Sequence, residues 1–211
     1  MPGLPNNSSI ARFFPATLIP DTPLSDERLE TFASGSWDLE HMRCERTEKG
    51  TLRIYAPTPE VIWLMISKFH SELLRWLGRK QYAGHTVVRR RFFLGDGSVL
   101  CPDIAYMRDG AKKRVDTDVL QPLQLCPNFI AEFCSHPREL RKVKDKMLRW
   151  MASGVELGWL MLPQERCVHV YSPGSEPETL DEEFAGGEGW VADFARILPE
   201  IWSLDECRRS Y

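Results

Sequence analysis

Strong charge of either sign is missing from this chain. Across 211 residues the formal net charge is −3, so no global field draws it onto nucleic acid. Any such binding must rest on a local basic patch. CxxC pairs are also missing. The six cysteines, Cys44, Cys101, Cys126, Cys134, Cys167 and Cys207, are scattered, and several sit in apolar runs. That pattern fits free thiols buried in a reducing compartment better than disulfides or zinc. The five histidines form no HxxxH pair or other ligand spacing. A phosphate loop of the GxxxxGKS/T type and a GxSxG nucleophile elbow are both absent. The longest apolar stretch, near Trp63, is broken by Ser67, Lys68 and His70 and is too short to span a bilayer. Met1 to Pro20 has no basic start leading into an apolar core, so a signal peptide is not expected. No internal repeat is visible. The expectation is a soluble, cytoplasmic protein that does not meet a membrane.

What the chain does have is enough apolar content, 43%, to bury one core. Residues 1–24, rich in Pro, Asn and Ser, read as a flexible N-terminal arm, and 25–211 as a single domain. Ser25 caps a predicted helix over 26–33. Strands are expected over 39–46 and 51–56, joined by the turn Thr47-Glu48-Lys49-Gly50. Thr58-Pro59-Glu60 opens a long helix that should stop at Gly78. Residues 87–94 and 98–100 read as strands around Leu94-Gly95-Asp96-Gly97, followed by a strand over 104–107. A loop is expected from 108 to 125, carrying Lys112, Lys113 and Arg114. Then come a strand over 129–134, a helix over 137–152, and a strand pair over 157–162 and 167–171. A short strand and helix over 190–202 close the core. This order predicts a mixed α/β fold with one main sheet flanked by helices.

Two carboxylates stand out. Asp103 and Glu132 each interrupt an apolar, strand-like run. Asp and Glu are almost never fully buried unless they are paired or bind a metal. Two such acids on neighbouring strands, next to positive charge, suit a divalent cation and a phosphate. The same residues also fit a purely structural reading, with Asp103 capping a bend and Glu132 paired to a helix lysine. The helix after Ser135 is basic, with Arg138, Arg141, Lys142, Lys144, Lys146 and Arg149. It suits phosphates or, more commonly, a solvated face. Arg89, Arg90 and Arg91 alternate with apolar neighbours and suit a groove or a charge-protected strand edge. Glu45 is a third acid, at a strand end. Trp63, Trp76, Trp150, Trp159 and Trp202 fall at core spacing. Cys134, with no base nearby in sequence, reads as an inert thiol.

Taken in order, several motifs resemble the Uma-type family of putative restriction endonucleases, within the PD-(D/E)XK nuclease superfamily. They are Gly97-Ser98-Val99-Leu100-Cys101-Pro102-Asp103, then Cys126-Pro127-Asn128-Phe129-Ile130-Ala131-Glu132-Phe133-Cys134-Ser135, then Lys146-Met147, and Gly154-Val155-Glu156-Leu157-Gly158-Trp159-Leu160. The resemblance extends over about residues 25–204. It implies a restriction-endonuclease-like core in which Asp103, Glu132 and the Phe133 carbonyl hold Mg²⁺, with Mn²⁺ as a substitute. It implies an assisting role for Glu45 and a catalytic one for Lys146. Lys142, Lys144, Arg149, Arg89 and Arg91 would then hold a nucleic-acid backbone, the expected partner being DNA. A separate reading takes the apolar C-terminal segment as a homodimer interface. The sequence departs from the superfamily at one place that matters: the lysine two residues after the second acid is replaced by Cys134. Lys146 is the candidate substitute, with Lys144 as the alternative. The leading expectation is a Mg²⁺-dependent DNA endonuclease. The rival is a catalytically degenerate nuclease fold that binds nucleic acid or protein.

Overall fold

The stretch from Arg89 to Arg91 decides how the strands are distributed. The computed structural model describes residues 16–18, 43–55, 58–109, 122–181 and 195–209. The strands are β1 (Ala16–Leu18), β2 (Cys44–Arg46), β3 (Leu52–Ile54), β4 (Gly84–Val88), β5 (Phe92–Phe93), β6 (Val99–Leu100), β7 (Ile104–Arg108), β8 (Phe129–Phe133), β9 (Leu157–Leu162), β10 (Cys167–Tyr171) and β11 (Glu178–Leu180). The α-helices are α1 (Glu60–Lys80), α2 (Leu140–Ala152) and α3 (Leu198–Arg209). A strand running unbroken over 87–94 is not what forms. Arg89 takes a φ of 50°, a left-handed conformation that no strand accommodates, so β4 and β5 enter different sheets. The expected single main sheet is accordingly joined by a second.

The described residues divide into two compact units. Residues 16–18, 43–55, 58, 91–101 and 122–125 form the first. Its antiparallel sheet has the order β1-β3-β2-β6-β5. Gly50, with a φ of 74°, makes the β2–β3 turn, and its N–H donates to the Thr47 carbonyl at 2.9 Å. Cys44, Leu52, Ile54 and Val99 form a small core. Within the stretch read as an arm, Ala16–Leu18 pairs with β3. The rest of that arm, the helix over 26–33, the cluster Lys112–Arg114 and the strand expected after Trp190 lie outside the described residues.

Residues 59–90, 102–109, 126–181 and 195–209 form the second unit. Its six-stranded sheet has the order β11-β10-β9-β8-β7-β4, antiparallel except where β8 meets β9. Parallel neighbours need a crossover, and α2 supplies it. Along β8 the alternation of side chains separates two faces. Phe129, Ala131 and Phe133 join a core with Ile66, Phe69 and Leu73 of α1 and Ile201 and Trp202 of α3. Ile130 and Glu132 face the other way, the side on which Met147 and Met151 of α2 approach Gly158. A Cβ on Gly158 would lie 2.7 Å from the Met147 methyl, so glycine there lets α2 sit close to the sheet.

Helix α1 does not stop at Gly78. Arg79 and Lys80 extend it by favourable interaction with its C-terminal dipole, and Gln81, at a φ of 56°, makes the left-handed cap. The helix expected over 137–152 begins instead with a 3-10 turn, Pro137–Glu139, before α2. A further strand, β11, lies in the Gly- and Pro-rich stretch after β10 and pairs with it through Val168, His169 and Val170.

Candidate active site

Glu132 sits in the middle of the second unit's sheet and is fully buried, at 0% exposure. A carboxylate in that position needs charged or hydrogen-bonding partners. Two come from α2. The Lys146 ammonium, itself 1% exposed, lies 2.5 Å from Glu132 Oε1. One helical turn later, the Trp150 indole N–H donates to the same oxygen at 3.2 Å. The spacing of four residues puts Lys146 and Trp150 on one helix face, and the short crossover holds that face over β8.

Asp103 precedes β7. The antiparallel register of β7 with β8 pairs Ile104 with Ala131, so one step further brings Asp103 opposite Glu132. Asp103 is 1% exposed. Its Oδ2 accepts the Phe133 N–H at 2.8 Å, and its Oδ1 accepts Nε–H of Arg89 at 3.0 Å. The Arg89 guanidinium also lies over the Trp63 ring of α1, 4.1 Å from its centroid. Asp103, Glu132, Phe133 and Lys146 therefore all belong to one unit. The Glu132–Lys146 pair belongs to the structural reading of these acids as much as to the functional one.

The other expected residues divide between the first unit and helix α2. Glu45 is buried in the first unit, where its carboxylate accepts the Tyr55 hydroxyl at 2.7 Å and the Cys101 N–H at 3.1 Å. Arg91, half-buried, is also in the first unit, its carbonyl accepting the Leu123 N–H. Lys142, Lys144 and Arg149 are half-buried along α2. Cys134 is buried, its thiol donating to the His136 carbonyl at 3.2 Å. Burial pushes the Cys44 thiol up to about 11, against thiolate chemistry there. His70 meets the Thr86 hydroxyl at 2.8 Å, and burial lowers its pKa.

Sequence reasoning missed three contributors: Trp150 as a donor to Glu132, Arg89 as the partner of Asp103, and Trp63 as the ring beneath Arg89. Trp150 had a signal, since it stands four residues after Lys146 in the same helix. Trp76, Trp150, Trp159 and Trp202 are buried as core spacing suggested, whereas Trp63 is only partly buried.

The Uma2 family model, described as "Putative restriction endonuclease", matches residues 29–205. The chain belongs to this family. A solved structure similar to this Uma2-family chain is a putative nuclease belonging to DUF820 from Anabaena variabilis ATCC 29413. The two are 21% identical, with a TM-score of 0.60 over 76% of this chain and 90% of that one. The likeness establishes a nuclease-like α/β fold for the Uma2-family chain. No curated protein matches it. Among the described residues no helix is long and apolar enough to cross a membrane, and no group of three or more His, Cys, Asp or Glu side chains converges to hold a metal ion.

Proposed function

We propose that this Uma2-family chain is a metal-dependent endonuclease acting on DNA, with its centre formed by Asp103, Glu132 and Lys146. The observation that carries this reading is the Lys146 ammonium buried on the Glu132 carboxylate. It brings a cation to the second acid from a helix, where the superfamily pattern has a lysine two residues later and this chain has Cys134. The groups that would hold a metal ion are hard oxygens, the two carboxylates and the Phe133 carbonyl. They fit Mg²⁺ or Mn²⁺, ions that keep several of their own waters, better than zinc. When bound, such an ion supplies Lewis-acid charge at a phosphate oxygen and lowers the pKa of a water.

The chain's own groups supply the rest. Asp103 and Glu132 would hold the ion, and Phe133 N–H fixes the Asp103 carboxylate through Oδ2. Trp150 fixes Glu132. Lys146 would orient the attacking water or meet charge developing on the phosphate. Lys142, Lys144 and Arg149 would hold the nucleic-acid backbone by charge. A homodimer through the apolar C-terminal segment is a separate expectation, and the mass in solution tests it.

The test is a cleavage panel on supercoiled, linear and single-stranded DNA and on RNA, with Mg²⁺, Mn²⁺ or chelator. We expect divalent-dependent DNA cleavage that Glu132→Gln abolishes. Gln keeps the side-chain volume beside Lys146 better than Ala does, and a urea unfolding curve of the variant separates loss of activity from loss of fold. Undiminished cleavage by a folded Glu132→Gln protein rules out the centre. The replacement at Cys134 favours a second reading, a degenerate nuclease fold that binds without cutting. DNA retention with no cleavage by the wild type under any of these conditions selects it.

A further inference from the structure

We propose that Arg89 is a positioning residue that clasps Asp103 and changes partners, from carboxylate to phosphate, when the centre is loaded. The proposal rests on the metal-dependent reading above and deepens it. Arg89 grips Asp103 twice. The register that pairs Val88 with Ile104 continues by one step, and the Arg89 backbone N–H donates to the Asp103 carbonyl at 3.1 Å. Its side-chain Nε–H donates to Asp103 Oδ1 at 3.0 Å. The left-handed backbone, at a φ of 50°, lets one residue make both contacts. Larger side chains rarely hold that conformation unless the surroundings impose it, and such outliers cluster at working sites.

The two grips differ in what loading does to them. A divalent cation held by Asp103 would share that carboxylate with the Arg89 guanidinium, and like charges repel. The side-chain bond is therefore the one that would weaken. The backbone bond involves no charge and stays. So does Oδ2, tied to the Phe133 N–H. The guanidinium also keeps its seat on the Trp63 ring, whose face attracts a cation. Released from Asp103 but still held over Trp63, it presents a planar fork of donors beside the loaded carboxylate. The counter-ion that matches this fork is a phosphate oxygen pair, the group a nuclease substrate brings with it. Arg89 thus weakens binding of the cation alone and strengthens binding of cation and phosphodiester together.

The test is Mn²⁺ binding, read from the resonance of free Mn²⁺, with and without a short DNA duplex. The proteins are wild type, Arg89→Gln and Arg89→Lys. For Arg89→Gln we expect Mn²⁺ alone to bind about ten-fold more tightly, the scale of one lost charge-assisted hydrogen bond. We expect the duplex to improve Mn²⁺ affinity in the wild type, less in Arg89→Lys, and not in Arg89→Gln. Should Arg89→Gln fail to fold, Arg89→Gly carries the same test, because glycine takes a φ of 50° without strain. Unchanged or weaker Mn²⁺ binding by either folded variant, beside a wild type that does bind, overturns the role of Arg89 and leaves the metal centre standing. A wild type that binds no Mn²⁺ overturns the metal reading and this proposal together.

Discussion

Lys146 and Glu132 form an ion pair that water does not reach. Taking two charges out of water is costly, so such a pair is poor evidence for stability and better evidence for some other use. Breaking it is a different matter, because the surviving charge is left buried. We expect Lys146→Met to destabilise the chain by about 3–5 kcal/mol in urea unfolding and to abolish cleavage. The double variant Glu132→Leu, Lys146→Met should regain most of that stability and none of the activity. Full cleavage by folded Lys146→Met would remove the lysine from the mechanism. The two acids were legible in the sequence because a carboxylate in an apolar run is physically expensive. The partner of Asp103 was not. Arg89 lies 14 residues away, and its reach depends on a left-handed backbone angle that no side-chain pattern announces.

Helix α2 carries both the buried lysine and the basic face beyond it. Its amphipathic pattern was readable: Val143, Met147 and Trp150 are buried as expected, and Gly154, at a φ of 100°, follows its end. Its position one residue before core Met147 put Lys146 at the core's edge, turned back towards the sheet's acids, and it is buried against Glu132. Lys142, Lys144 and Arg149 remain half-buried on the flanks. If they meet phosphates, each neutralised charge releases counter-ions and adds about 0.9 to the slope of log affinity against log salt. We therefore expect Lys142→Ala to weaken DNA binding evenly across sequences and to lower that slope by about one unit. An unchanged slope would place that lysine off the DNA. Elements bounded by strong local signals, such as β9 and β10, fell where the sequence put them. The helix α1 overran Gly78 because the two cations after it outweigh one weak helix former in the last turn.

Over the whole molecule, two histidines link stability to pH. Burial lowers the pKa of His70, and burial followed by the nearby Lys144 lowers that of His169. The fold thus prefers both rings neutral. Their contribution is complete above the unfolded value of about 6.5 and is lost as pH falls through the lowered folded values. We expect the urea midpoint to drop between pH 7 and pH 5, and His70→Gln to flatten that drop. An equally steep drop in the variant would clear His70 of the effect. The mixed α/β class was legible from the order of elements, but the division into two sheets was not, because it turns on the backbone at Arg89.

That division has a consequence for how the protein is made. The chain visits the first unit, leaves it after residue 58, returns at 91, leaves again after 101 and returns once more before 126. β4 emerges from the ribosome before the first sheet has received β5 and β6, and it must wait for β7 to find its own neighbour. Synthesis therefore holds both sheets incomplete at the same time. A nascent chain halted anywhere from β4 to β6 exposes two unfinished edges rather than one finished domain.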